Sequence, residues 1–373
     1  MHLPDGFLDA PTSIATGVLA AGAVAISLRK AERGLGAAGP ALAGLVACFV
    51  FAAQMVNFPV GAGTSGHLLG GALAAVLVGP WAGTLILAVV LLVQGVFFAD
   101  GGLTALGSNI TLMGIVGVWS GYLVTRAVLA VLPKRVTSIV PAAAIGAFLS
   151  VPLAALAFVA LYAIGGAAPI PLGALASAML GWHLLIGVGE ALITAAVLTA
   201  VVASRPDLVY LARGLRPDLV VVGADGVERR VPAETASAGG GRRLGSRAIA
   251  LSLAVTLLIG GGLSLLASAS PDGLEHVAAT LGFEHLATEH ATATGPFADY
   301  DIPGLGALGP VAAGIVGVLL TLGLALAVGW VASRRSRSTL GSGSTGAGTG
   351  STGAGSSSAP SETSTSDTTT GRR

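Results

Sequence analysis

A succession of long, uninterrupted apolar runs constrains this chain more than any other feature. They lie near residues 12–28, 41–57, 66–80, 82–98, 110–131, 139–163, 175–203, 247–267 and 305–332. A helix that crosses a bilayer needs about 20 mostly apolar residues, with a range near 17–25. Most of these runs qualify; the third is short and ends at Gly79-Pro80. The runs are continuous and lack the two-residue alternation of membrane β-strands, which argues for helices. Only 10% of the 373 residues are charged, against about 25% in a soluble chain, too few to cover a soluble globule of this size. The 56 glycines suit close helix packing in lipid. The fold class expected is an all-α polytopic membrane protein.

The basic residues orient it. Arg29, Lys30 and Arg33 follow the first run, and Arg126, Lys134 and Arg135 lie at or beyond the end of the fifth. Arginines fill the stretch from Arg205 to Arg247; Arg334, Arg335 and Arg337 follow the last run, and Arg372 and Arg373 end the chain. With every run counted as a span, all of them fall on one side, which the positive-inside rule makes cytoplasmic. Dropping the third run breaks this agreement, so it is kept as a span. The N-terminus is then outside, residues 1–11 are expected to stay on the mature protein, and the outer loops are 1–11, 58–66, 99–109, 164–174 and 268–304. The organisation expected is a seven-span domain over 1–203, a cytoplasmic Arg/Gly-rich linker over 204–246, a two-span domain over 247–335 with outer loop 268–304, and a disordered Gly/Ser/Thr tail over 336–373.

Several functions are excluded. The net charge of +1 gives nucleic acid no electrostatic purchase. A single cysteine, Cys48, rules out a disulfide framework or a Cys-rich metal site. The two lysines, Lys30 and Lys134, do not follow a glycine, so a Walker A phosphate loop is absent and any ATP is bound by another subunit. No G-x-S-x-G nucleophile elbow occurs. The chain is read as a non-enzyme.

Met1-His2 carries the chemistry. Methionine ahead of a bulky histidine is expected to be retained with a free α-amine. That amine, the His2 backbone nitrogen and His2 Nδ1 can close two fused chelate rings. Such a tetragonal nitrogen set selects Cu(II), Ni(II) or low-spin Co(II) over Zn, Ca or Mg. The ligands bind after losing protons, so affinity is expected to fall in acid. Pro4 and Gly6 stiffen and turn the segment, and Phe7 and Leu8 are apolar anchors that suggest it folds back into the protein. His67, at the end of a Gly-rich outer loop on the same side, is the natural fourth ligand. Thr64 and Ser65 are placed to cap the next helix or orient the imidazole, and Asn57 stands at the mouth of the loop. His183 and Glu190, seven residues apart and on one helix face, are costly in a membrane and open a rival reading, an autonomous metal channel or proton-coupled transporter. Outer residues His276, His285 and His290 offer transient metal capture at most. A membrane metalloenzyme and an outward metal sensor are the remaining rivals.

The stretch 1–7, the stretch 57–71, the run from Gln94 through Asp100-Gly101-Gly102 to Gly107, and the span from His183 to Glu190 together resemble the cobalt/nickel substrate-binding component of energy-coupling-factor transporters, the CbiM/NikM family. Residues 271–310, beginning Pro271-Asp272-Gly273-Leu274-Glu275, resemble the PDGLE domain that stands in for the small two-span accessory subunit. The resemblance implies a seven-helix component with a square-planar nitrogen site at Met1, His2 and His67. It further implies Ni(II) or Co(II) as cargo, a transmembrane coupling subunit and cytoplasmic ATPases as partners, and a multi-pass place in the plasma membrane of a prokaryote.

Overall fold

The computed structural model describes residues 1–31, 39–215, 219–222, 228–231, 245–288 and 292–341. A first compact unit covers Met1–Arg334; the second, Arg335–Arg373, is described only over 335–341, where it is helical. Glu289, His290, about half of the expected linker and the tail beyond 341 lie outside the described residues.

The elements in chain order are α1 (Ala10–Lys30), α2 (Gly39–Gln54), β1 (Phe58–Gly61), β2 (Thr64–Gly66), α3 (Gly71–Val78), α4 (Pro80–Phe97), α5 (Leu106–Val131), α6 (Ile139–Gly165), α7 (Leu172–Ser204), β3 (Leu219–Val222), β4 (Glu228–Val231), α8 (Ser246–Leu266), α9 (Gly273–Leu281) and α10 (Gly309–Gly341). The described residues are predominantly helical, with four short strands. The strands form two antiparallel hairpins, β1 with β2 and β3 with β4. Among the described residues, α1, α4, α5, α6, α7, α8 and α10 are long and apolar enough to cross a membrane. Helix α1 exposes Ile14, Val18 and Leu19, a face suited to lipid. Its start is set by Asp9, whose carboxylate accepts the Thr12 N–H at 2.9 Å. Helices pack through small residues: a Cβ on Gly121 would lie 2.5 Å from Ala72 Cβ, and one on Gly107 2.4 Å from Gly17 Cα.

The third apolar run differs from the simple span expected over 66–80. Residues 64–66 pair with β1, 67–70 are non-helical, and only eight residues, Gly71–Val78, form a helix. Eight helical residues rise about 12 Å, too short to cross alone. The chain nevertheless runs between the two ends of the bundle. Its start at His67 lies with the N-terminus, while Gly79 at its end faces the Tyr210 ring, beside which Tyr122 and Arg126 also lie. Non-helical backbone is tolerated at membrane depth only when protein buries it, and residues 64–80 are buried throughout. Gly70 makes the bend at φ +75°, where side chains are strained, and its missing Cβ leaves room for Val50.

The five loops expected on one side meet at one end. Ala167 N–H donates to Phe7 O (3.1 Å), Ser268 N–H to Asn57 O (2.8 Å), Ser65 N–H to Pro271 O (2.8 Å), Thr288 N–H to Asp5 O (3.0 Å) and Asp299 N–H to Phe98 O (3.0 Å).

Candidate metal centre

The N-terminal segment folds into the protein: Met1, Leu3 and Phe7 are at most 2% exposed. Neighbouring loops hold it through its backbone and its side chains. The Asn109 side chain grips Leu3 like a neighbouring strand, accepting its N–H at 2.8 Å and donating to its carbonyl at 3.0 Å. Gly102 N–H donates to the same carbonyl at 2.9 Å. The Asp5 carboxylate accepts from Leu103 N, Thr104 N, Thr104 Oγ1 and Ala105 N. Phe7 packs edge-on against Phe283 at 5.0 Å. Gly102 is required by close approach, since a Cβ there would lie 2.1 Å from Asp5 Oδ1 and 2.3 Å from Asp5 N. Because backbone cannot yield that far, Gly102→Ala is expected to unseat the segment. The variant should lose thermal stability and metal affinity together; a variant that binds metal like the parent would show that the segment need not seat here.

This segment delivers the terminal amine to His67. Met1 N stands 2.5 Å from His67 Nε2 and 2.6 Å from Asp272 Oδ2. His67 Nδ1 donates to Leu68 O at 3.0 Å, which leaves the Nε2 lone pair aimed at the amine. The Asp272 oxygen lies 3.7 Å from His67 Nε2. Burial opposes charge on Asp272, but the Met1 ammonium and His67 outweigh it and hold its carboxyl well below the usual range. Its other oxygen caps α9, accepting from Leu274 N and Glu275 N, while the Glu275 carboxylate takes the Asp272 N–H.

The His2 ring stacks on His67 with centroids 4.8 Å apart. Burial pushes the His2 imidazole down to about 4 against the pull of Asp100, so it is neutral near pH 7. Nδ1 lies 3.1 Å from Asp100 Oδ1 and Nε2 lies 3.2 Å from Gln94 Oε1. Tyr300 in turn donates to Asp100 Oδ2 at 2.5 Å. Nδ1, the atom expected to chelate, therefore faces the Asp100 carboxylate. A cleft of about 320 Å³ is lined by Pro4, Ala99, Gly101, Gly102, Thr288 and Asp299, among others. Of these, Gly101 also touches His2, its absent Cβ falling 3.4 Å from His2 Cβ.

The expected ligands Met1, His2 and His67 thus lie together, all buried. The three supporting residues are placed unequally. The Ser65 hydroxyl donates to Ser270 O at 2.7 Å rather than to an imidazole. Thr64 Oγ1 is buried without a partner among the described residues. Asn57 contributes its backbone carbonyl to Ser268. His183 and Glu190 do not pair: the Glu190 carboxylate accepts Leu69 N–H at 2.5 Å and Gly70 N–H at 2.9 Å, bracing the bend after His67. His276 sits against Trp182. Sequence reasoning missed Asp272 and underrated Asp100, Gln94, Asn109 and Asp5. The Asp-x-x-Glu pattern at 272–275 announces a helix start but not the amine 271 positions away. Among the described residues no three His, Cys, Asp or Glu side chains are grouped to hold a metal.

Residues 2–208 match the family model described as CbiM, cobalt uptake substrate-specific transmembrane region, and residues 246–334 match the PDGLE domain. Over 330 residues the chain is 36% identical to a protein of Archaeoglobus fulgidus named for fused nickel transport, NikMN, covering 88% of this chain and 98% of that one. It is 43% identical over 117 residues to the fused nickel transport protein NikMN of Rhodobacter capsulatus, covering 31% of this chain and 34% of that one. It is 42% identical over 127 residues to the cobalt transport protein CbiM of Sorangium cellulosum, covering 33% and 56% respectively.

Proposed function

We infer the function from one premise: the chain belongs to the CbiM family, the cobalt uptake substrate-specific transmembrane region, and carries a PDGLE domain behind it. Members of this family are membrane components of metal transport and not enzymes. We propose that this one captures Ni(II) or Co(II) on the outer side of the membrane. The amine of Met1, the backbone nitrogen and Nδ1 of His2, and Nε2 of His67 hold the ion in one plane. The carrying observation is the buried meeting of the Met1 amine with His67 Nε2 at 2.5 Å. The fourth nitrogen is thereby pre-placed beside the terminal chelate, which lowers the cost of ordering the site. Binding displaces the amine proton and the His2 amide proton to solvent, and a tetragonal nitrogen set favours these ions over Ca(II) or Mg(II).

Delivery to the cytoplasm is assigned to a transmembrane coupling subunit and cytoplasmic ATPases, consistent with the missing Walker A loop. The two parts of the chain act as one: the 1–203 region holds the ion, and the 247–335 region closes over it. Nickel uptake into vesicles tests the partner requirement. Uptake is expected with coupling and ATPase subunits plus ATP and is expected to be absent with this chain alone. ATP-independent uptake by the chain alone would replace this reading with an autonomous transporter.

A further inference from the structure

His183 carries the same signature as the proposed ligand His67. In His67, Nδ1 donates to a backbone carbonyl and Nε2 points into the site. In His183, Nδ1 lies 2.8 Å from Met179 O, and a carbonyl can only accept, so Nδ1 holds the proton. Its Nε2 lone pair is completely buried and has no partner among the described residues. Metal-ligating imidazoles are held in this way, with the second nitrogen tied to a carbonyl. An orphaned buried acceptor is costly and calls for an explanation. It stands close to the capture site, because Gly273, the residue after Asp272, packs against its ring.

Residues 271–273 separate the two imidazoles. Asp272 faces Met1 and His67. Gly273 faces His183: a Cβ there would lie 3.1 Å from His183 Cε1, 3.5 Å from Nε2 and 2.8 Å from Ile186 Cδ1. A side chain at 273 would press on the Ile186 tip and the imidazole edge, so glycine suits this close pass. We propose that His183 Nε2 is a second ligating position for the cargo, screened by residues 271–273 and reached when that segment withdraws, so that the ion passes from the terminal nitrogens to His183 on its way inward. Only coordination bonds and N–H bonds change: as the ion leaves, the Met1 amine and the His2 amide nitrogen each regain from solvent the proton displaced on capture.

This inference rests on the capture reading above. It is tested by radioactive nickel uptake in cells that make the full chain with its coupling and ATPase subunits, alongside Ni(II) titration of the purified chain. His183→Leu removes the ligand and an unpartnered polar group, so its thermal midpoint is expected at or above the parent's. Uptake is expected to fall by about tenfold or more, while the affinity and visible spectrum of the captured ion stay as in the parent. His183→Cys, which restores a ligating atom, is expected to recover part of the uptake. Unchanged uptake in His183→Leu overturns the proposal. Failure of the folded cysteine variant to recover any uptake also overturns it and assigns His183 to packing. Capture affinity falling as far as uptake would place His183 in the first site instead. Should the leucine variant not fold, His183→Asn carries the same expectations, because its amide still donates to a carbonyl but offers no nitrogen lone pair. The two readings fail separately: nickel binding that survives an added residue before Met1 removes the capture reading, whereas silent His183 variants remove only the second position.

Discussion

A chain extended by one residue ahead of Met1 is expected to lose tight binding of Ni(II) and Co(II). The extension converts the Met1 amine into an amide and moves the new amine out of reach of His67 Nε2, which it now meets at 2.5 Å. Two fused chelate rings become open donors, and the advantage of linking ligands in one segment is on the order of 100-fold to 10,000-fold. The extra residue also has no room, since Met1 is 2% exposed and its nitrogen is held 2.6 Å from Asp272 in a buried ion pair. Removing the charge that answers a buried carboxylate costs about 3–5 kcal/mol, so a loss of thermal stability should accompany the loss of metal. The check is a titration of both ions into parent and extended protein near neutral pH, read by the visible spectrum. The planar-nitrogen spectrum is expected in the parent alone. Equal affinity in the extended form would remove Met1 and His2 from the ligand set.

The second large effect is expected at Glu190. Its carboxylate is the acceptor for the backbone N–H groups of Leu69 and Gly70 at 2.5 and 2.9 Å, where the third crossing bends after His67. Glu190→Leu keeps the volume roughly constant and leaves both amides buried without an acceptor. Each such loss costs about 1–3 kcal/mol, or about 2–6 kcal/mol together. Because the bend sets where the His67 ring stands, metal affinity should fall along with the unfolding midpoint in detergent. Glu190→Gln, which retains one acceptor, should lie between parent and leucine variant. A leucine variant with the parent's midpoint would show that the bend is held by packing alone. A variant that loses transport while keeping both its midpoint and its metal affinity would instead make Glu190 part of the ion's route.

These two positions differ in how far the sequence reveals them. Met1, His2 and His67 were legible because a terminal amine, an adjacent imidazole and a glycine-rich loop ending in histidine are each local patterns with a known coordination chemistry. Glu190 was visible as a charge inside an apolar run, yet its pairing with Leu69 and Gly70 was not. The helical spacing of His183 and Glu190 pointed to each other, whereas the structure turns one toward Met179 O and the other toward the bend.

The sequence alone determined the membrane class, because apolar run length and scarcity of charge are properties of the chain itself. It also determined which loops share an end, through the alternation of basic segments, and it determined the candidate nitrogen ligands. Tertiary structure decided the rest. The third crossing is part extended and part helix because neighbours bury its backbone, a condition no window of sequence contains. The pairing of Asp272 with the Met1 amine, of Asp100 with His2 and of Asn109 with Leu3 joins residues 271, 98 and 106 positions apart. Hydrogen bonds and ion pairs are short-ranged in space, and periodicity records which face of a helix is buried but not what stands opposite it.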